Sequence, residues 1–436
     1  VKYRILIGLI GFVLLLAGAG HAFQSRDVAA IDGLTMGTSW RVMLDATNRT
    51  AESSLQLAIQ DRLDRIEQSM STWIEDSEVS RFNRLDSDEW FPVSEDTAVV
   101  VTEALRIAQL SQGAFDPTVA PLIRLWSFDA GSQTRQIPTD ADIEEARQHC
   151  GWQKLEVRRD PPALRKDDPK LQINLSAIAK GYAVDEVSKL LGTYGWPNHL
   201  VEVGGEMRAC GLKPDGSLWR VGVETPDELS RRVHRVLVLK DQSIATSGDY
   251  RNFFEVDGQR YSHTIDPETG RPVVHSLASV TVVASNCMQA DALATAINVL
   301  GPEQGMKLAV QEKVSALLIQ RDGDRLIDKQ TVSFAALIPG TELAPITNGD
   351  GDGSLLRTII AVGGVFAIAI IGMAVGVIFS NRRLRGSCGG LNNMPGTEGS
   401  ACEICQNPAD ECRDPLARFR RKPSPAAPTR DADNQT

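Results

Sequence analysis

Between Glu52 and Met70 the apolar residues Leu55, Ile59, Leu63, Ile66 and Met70 fall at steps of four, four, three and four. That period predicts one amphipathic helix whose task is packing. A second helix is expected near 97–112 and stops at Gly113, after which Ala114-Phe115-Asp116-Pro117 has the composition of a turn. Leu171 to Asn174 reads as a short strand entering the small-residue turn Leu175-Ser176-Ala177-Ile178-Ala179-Lys180-Gly181, followed by a helix with Val184, Val187 and Leu191 on one face. A turn of this kind exposes amide groups at a helix N-terminus, which suits phosphate. Further strands are expected over Val201–Ala209 with Gly204-Gly205 inside, Trp219–Val223, Val233–Leu239 and Val280–Ala284, with hairpin turns at Asp257-Gly258 and Asp322-Gly323. A helix then begins at Met288. Leu293, Ile297 and Leu300 form its apolar stripe, and Asp291 and Thr295, four residues apart, share another face aimed off the core.

Two longer uncharged runs change the picture from a globular domain to a membrane-attached one. Ile5–Gly20 follows Lys2 and Arg4 and leads to Gly20-His21-Ala22, so residues 1–22 read as a signal peptide or signal anchor. Position 19 is Ala, which leaves no cysteine there to carry a lipid. Thr358–Phe379 is 22 residues without a charge, long enough to cross about 30 Å of hydrocarbon as a helix. Arg382, Arg383 and Arg385 follow at once, which places the C-terminal tail in the cytoplasm and the domain over residues 23–340 on the outer side of the membrane, joined by a linker over 341–357. Residues 413–436, rich in Pro, Ala and charge, read as a disordered tail.

With 42% hydrophobic and 23% charged residues the 436-residue chain can bury a core, and its net charge of −10, concentrated in the exported part, argues against nucleic-acid binding. The seven cysteines divide by compartment. Cys150, Cys210 and Cys287 lie in the exported part, as buried thiols or with one disulfide among them. Cys388, Cys402, Cys405 and Cys412 crowd into the segment 380–412, where thiolates could bind zinc, iron or an iron-sulfur cluster. In the exported part, the carboxylate of Asp291 and hydroxyl of Thr295 are hard oxygen ligands suited to Mg2+. Asp116 can be a turn former or a ligand and Lys180 a solvated lysine or a phosphate partner. In Tyr261–Gly270, His263 and Asp266 sit where a cleft could use them, or serve as a strand histidine and a turn-forming aspartate.

Seven segments then occur in order: Met36-Gly37-Thr38; Met70-Ser71-Thr72-Trp73 with Ser80-Arg81-Phe82-Asn83; Ala114-Phe115-Asp116-Pro117-Thr118; Asn174 to Ala183; Val203-Gly204-Gly205; Ser262-His263-Thr264-Ile265-Asp266-Pro267 with Thr269-Gly270; and Ala290 to Thr295. Together they resemble the ApbE family of FAD:protein FMN transferases over residues 30 to 335. The tail from Gly372 to Cys412 is similar to a separate family, the membrane maturation factor of the sodium-translocating NADH:quinone reductase. The first resemblance implies an α+β, mixed-sheet flavin-transferase domain that moves FMN from FAD to a Thr or Ser hydroxyl of a target protein and releases AMP. It implies FAD contacts at Met36, Trp73, Ala114, Phe115, Asp116, Lys180 and Ile265, and Mg2+ held by the Ala177 carbonyl, Asp291 and Thr295. His263 is expected to deprotonate or orient the hydroxyl. The second implies that the targets are Thr-bearing subunits of that reductase and that the cysteine tail, binding iron by family and zinc equally well by chemistry, matures its iron site. Hydrolysis of FAD to FMN and AMP, and a non-enzymatic assembly scaffold, are the competing expectations.

Overall fold

The computed structural model describes residues 28–45, 52–128, 137–227, 232–248, 253–256, 259–323 and 325–340. Both uncharged runs, the linker, the four tail cysteines and the terminal tail lie outside these residues. Among the described residues no helix is long and apolar enough to cross a membrane.

Eight strands form the main sheet: β1 (Val28–Thr35), β2 (Thr38–Asp45), β3 (His199–Val203), β4 (Glu206–Cys210), β5 (Gln242–Gly248), β6 (Leu277–Ala284), β7 (Ser315–Asp322) and β8 (Arg325–Gln330). Their order in space is their order in the chain, and each pairs antiparallel with the next. The α+β expectation is met, whereas the sheet expected to be mixed is an antiparallel meander. The connection from β6 to β7 shows why. Its helix, Cys287–Gln311, breaks at Gly301 (φ 73°), and a Cβ on Gly305 would sit 2.6 Å from the Ile297 carbonyl oxygen. The chain therefore runs out on one arm and back on the other, returning to the end of the sheet it left.

The sheet is covered on both faces. On one side lie α1 (Glu52–Met70), α2 (Glu95–Leu110), α3 (Ala179–Thr193) and α4 (Cys287–Gln311), whose buried Leu55, Ile59, Leu63, Ile66, Val100, Val184, Val187 and Leu293 share a core with Val42, Val201, Val280 and Leu318 of the sheet. On the other, a hairpin of Trp219–Glu224 and Val233–Leu239 packs Trp219, Val221 and Leu237 against Val283, Leu317 and Ile319. Central strand β6 is consequently buried at every position, while edge strand β8 is exposed at every position but Asp328.

Three local expectations are corrected. Val201–Ala209 is a hairpin and not one strand, because Gly204 (φ 62°) and Gly205 (φ 107°) reverse the chain between β3 and β4. Leu171–Asn174 is not a strand. Ile173 pairs instead with a side-chain amide, donating to Asn83 Oδ1 (2.8 Å) and accepting from Asn83 Nδ2 (2.9 Å). Asp291 is not aimed off the core: sheet and helices cover the first arm of α4, so Asp291 is buried, whereas Thr295 is half-buried. The remaining described elements follow the periodicity, including α1 over its full predicted length, and the turn expected at 257–258 lies outside the described residues. Cys150, Cys210 and Cys287 are all free thiols.

Candidate active site

The site begins with two tight turns side by side. Met36 (φ 49°) and Gly37 (φ 70°) link β1 to β2 with Thr35 paired to Thr38, a two-residue turn of the type I′ sign. The Gly204 amide donates to the Ser39 carbonyl (3.0 Å), and a Cβ on Gly204 would meet Thr38 Cγ2 at 2.9 Å and Lys180 Cδ at 3.4 Å. Only glycine lets the second turn nest between the first and the start of α3. The first turn is also tied to the last turn of α1, since the Met36 amide donates to Glu67 Oε2 (3.0 Å). Trp73 follows at the same helix end, 74% exposed, with its backbone held by Ser71 Oγ.

Beneath the Gly-Gly turn lies a charged cluster. Lys180 Nζ donates to Glu206 Oε1 at 2.6 Å, and the Gly181 amide donates to Asp291 Oδ2 at 3.0 Å. A side chain at 181 is impossible, because its Cβ would be 2.4 Å from the Cys287 carbonyl oxygen. That close approach of α3 to α4 is what seats Asp291 beside Lys180. Burial pushes the Glu206 carboxyl up to about 7 against the pull of Lys180, with Asp291 adding to the rise. Burial also raises Asp291, with Lys180 and the Gly181 amide opposing. Glu206 Oε2 is buried without a hydrogen-bond partner. Two desolvated carboxylates thus share one ammonium, a balance that a bound cation would complete.

The donor set decides what cation fits. Among the described residues no group of three or more His, Cys, Asp or Glu could hold a metal. An ion here would rely on the Asp291 carboxylate with hydroxyl and carbonyl oxygens; of the expected donors, Thr295 stands one turn along α4 and Ala177 in the turn before α3. Mg2+ binds with few protein carboxylates in this way, and a thiophilic metal does not.

Other predicted residues lie on loops tied to the elements that carry this cluster. The Asn174 amide donates to the Pro117 carbonyl (2.8 Å), bringing the Ala114–Thr118 loop against the turn before α3. Phe115 is buried in the main core. Asp116 braces its own loop: Oδ1 accepts from the Thr118 amide (2.7 Å) and hydroxyl (2.6 Å), and Oδ2 from the Trp152 amide (3.1 Å). Ile265 is buried with Leu122 and Trp126, and the His263 ring stands edge-on to Phe128 at 6.5 Å. Thr264, between them, lies against Asn298, one turn beyond Thr295. Asp266 is a turn former, accepting from the Glu268 amide (2.9 Å) and the Thr269 hydroxyl (3.0 Å). The cluster residue that sequence reasoning missed is Glu206. It stands directly after the Gly-Gly pair, and the alternation of Glu206, Arg208 and Cys210 along β4 could have placed it on the face turned to α3.

This fold and arrangement are those of flavin transferases. The flavin transferase ApbE from Vibrio cholerae superposes with a TM-score of 0.66 and 40% identity, over 72% of this chain and 99% of that one. The Pseudomonas stutzeri flavinyl transferase ApbE, in its apo form, does so with 0.66 and 37%, over 72% and 97%. Residues 36–318 match the model of the ApbE family, and the chain belongs to that family as an enzyme. The FAD:protein FMN transferase of Vibrio cholerae serotype O1 is 42% identical over 323 residues, 74% of this chain and 95% of its own. That of Escherichia coli K12 is 39% identical over 325 residues, 73% and 93%. Residues 377–422 match a second family model, described as (Na+)-NQR maturation NqrM.

Proposed function

We propose that the domain transfers FMN from FAD to a Thr or Ser hydroxyl of a target protein, with Mg2+, and releases AMP. The observation that carries this reading is the half-buried Lys180 set against the buried carboxylates of Glu206 and Asp291 beneath the Gly-Gly turn, with acceptor capacity unspent on Glu206. Mg2+ held by Asp291, the Thr295 hydroxyl and the Ala177 carbonyl would offset the negative charge that builds on the pyrophosphate.

The chain's own residues have separate tasks. Lys180, whose carboxylate neighbours keep it charged, supports the phosphate being transferred. Met36, Ala114, Phe115, Asp116, Ile265 and the exposed Trp73 position the flavin, with Asp116 acting by holding the shape of its loop. His263 accepts the proton of the incoming hydroxyl, or orients it, as the oxygen bonds to the FMN phosphorus and the bond to AMP breaks. No residue of the chain becomes the nucleophile. Full-length protein with FAD, Mg2+ and a subunit bearing an acceptor Thr should add one FMN to that subunit by intact mass, and an acceptor Thr→Ala change should abolish the gain. Free FMN and AMP without a mass gain would identify hydrolysis instead.

The tail extends the reading. The match of residues 377–422 and the charge-free run 358–379 support a membrane-anchored protein with its transferase domain in the periplasm, acting on Thr-bearing subunits of the sodium-translocating NADH:quinone reductase. Cys388, Cys402, Cys405 and Cys412 would bind iron in the cytoplasm for the membrane subunits of the same complex. Metal analysis of the full chain beside a Cys402→Ser/Cys405→Ser variant tests this, and zinc without iron would count against the iron role.

A further inference from the structure

Glu206, Arg208 and Cys210 face α3 from alternate positions of β4 and meet Lys180, Asp185 and Ser188 in turn, at 2.6, 3.3 and 3.4 Å. The first pair belongs to the flavin site. The last opens into a separate cavity of about 510 Å3, lined by Ser188, Lys189, His199, Arg208, Cys210 and Asp241 among others, a size that admits a small organic molecule.

A hydrogen-bond chain of fixed direction leads away from the Cys210 thiol. His199 Nδ1 lies 2.7 Å from the Trp196 carbonyl oxygen, which can only accept, so Nδ1 carries the proton. In the neutral ring His199 Nε2 then accepts from Ser188 Oγ at 2.7 Å, and Ser188 Oγ accepts from the Cys210 thiol at 3.4 Å. The other two thiols lack such a chain. Cys150 donates to the Ala146 carbonyl and is pushed up to about 12 by burial and by Asp116. Cys287 is fully buried, faces the carbonyls of Met207 and Ile244, and lies well above the usual thiol range because of burial and nearby carboxylates. For Cys210 partial burial acts upward, but the hydrogen bonds of His199 and Ser188 and the charges of His199 and Arg208 outweigh it and bring the thiol down to about 7.

We propose that Cys210 is a thiol–disulfide exchange site that takes a small-molecule disulfide into this cavity. The thiol proton moves to Ser188 Oγ as the Ser188 proton moves to His199 Nε2. The thiolate then attacks one sulfur of the disulfide, a bond from Cys210 Sγ to that sulfur forms, and the original S–S bond breaks. The departing thiolate takes the proton back from His199, so electrons and protons balance without another reagent. The charged or titratable groups facing the site besides Cys210 are His199 on β3, Arg208 on β4, Tyr182, Asp185 and Lys189 on α3, and Asp241 before β5, with the Tyr182 hydroxyl donating to Asp96. Arg208 is tied to Asp185, Asp241 accepts from the Gly211 amide and Lys189 pairs with Glu186, which leaves the Ser188–His199 relay as the path for the thiol proton.

Glutathione disulfide is the probe, added to the native full-length chain from pH 5.5 to 9, with peptide mass mapping to separate Cys210 from the tail cysteines. Cys210 should form the mixed disulfide with a midpoint near 7, while Cys150 and Cys287 remain unmodified. Ser188→Ala and His199→Gln should each move the midpoint toward the free-thiol value of about 8.5 and slow the reaction at pH 6.5 about fivefold, the loss of thiolate being partly offset by its greater nucleophilicity. A wild-type midpoint at the free-thiol value, a midpoint that neither variant moves, or no mixed disulfide at Cys210 would overturn the proposal. The first of these readouts needs no variant and so does not depend on a substituted chain folding.

Discussion

Asp116 and Asp291 are aspartates of one neighbourhood, both nearly closed off from solvent and both raised above the usual carboxyl range by burial. Their oxygens are used differently. Asp116 accepts from three donors of its own loop, at 2.6, 2.7 and 3.1 Å, and so fixes the path of residues 114–118 against Trp152. Asp291 accepts from the Gly181 amide at 3.0 Å and lies beside a second buried carboxylate, Glu206, whose Oε2 is unpartnered. Neither depth nor the direction of the pKa separates a brace from a ligand site. The number of acceptor positions already spent does, because folding alone does not favour keeping a desolvated oxygen unsatisfied.

The largest test of that contrast is Asp291→Asn. Transfer of FMN should fall by about a hundredfold or more, while the melting temperature without Mg2+ stays level or rises, because a desolvated charge has been removed. Full transfer with a lowered melting temperature would reverse the two roles. Asp116→Ala should do the opposite and cost about 2–3 kcal/mol in urea unfolding, since it orphans the Thr118 and Trp152 donors. Loss of FAD binding at unchanged stability would make Asp116 a ligand after all. Thr118→Val sharpens the point at smaller scale. It removes one donor to Asp116 and the acceptor of the Gly151 amide, an expected loss of about 1 kcal/mol.

An effect of similar size, but dependent on pH, concerns a carboxylate whose acceptors are spent on a cation. Asp96 accepts from both terminal nitrogens of Arg62 (2.5 and 2.8 Å) and from the Tyr182 hydroxyl (2.6 Å), bolting α1, α2 and α3 together. Burial acts to raise it, but Arg62 and Tyr182 outweigh that and hold it below the usual range. The folded chain thus binds this proton less readily than the unfolded one, so the stabilisation is present above a pH of about 4 and is lost as pH falls through the lower folded value. Arg62→Ala should cost about 1 kcal/mol at pH 7, with the difference from wild type narrowing in acid. A constant difference across pH 3–7 would mean that Arg62 acts by packing alone.

How much of this was legible in the sequence follows from the range of the interactions involved. The period of Leu55, Ile59, Leu63, Ile66 and Met70 gave α1, and the Asx pattern around Asp266 gave its turn, because each is settled within a few residues. Leu171–Asn174 looked like a strand because its apolar residues alternate, and only Asn83, ninety positions away, reveals that its hydrogen bonds go to a side chain. The face of Asp291 was misjudged for the same reason: helical spacing fixes an angle about the axis, and what covers that angle comes from other parts of the chain.

By itself, then, the sequence determined the helices and turns, the ordered set of motifs that places the chain in its family, and the candidates Lys180, Asp291 and His263. Local spacing and residue chemistry carry that information directly. The tertiary structure alone decided that the meander is antiparallel, that Gly181 lets α3 approach α4 closely enough to set Asp291 beside Lys180, and that Glu206 joins them. It also decided that Asp116 is spent as a brace and that Ser188, His199 and Cys210 meet in one cavity. Those outcomes depend on distances between residues far apart in the chain, which burial of the core fixes and no local pattern records.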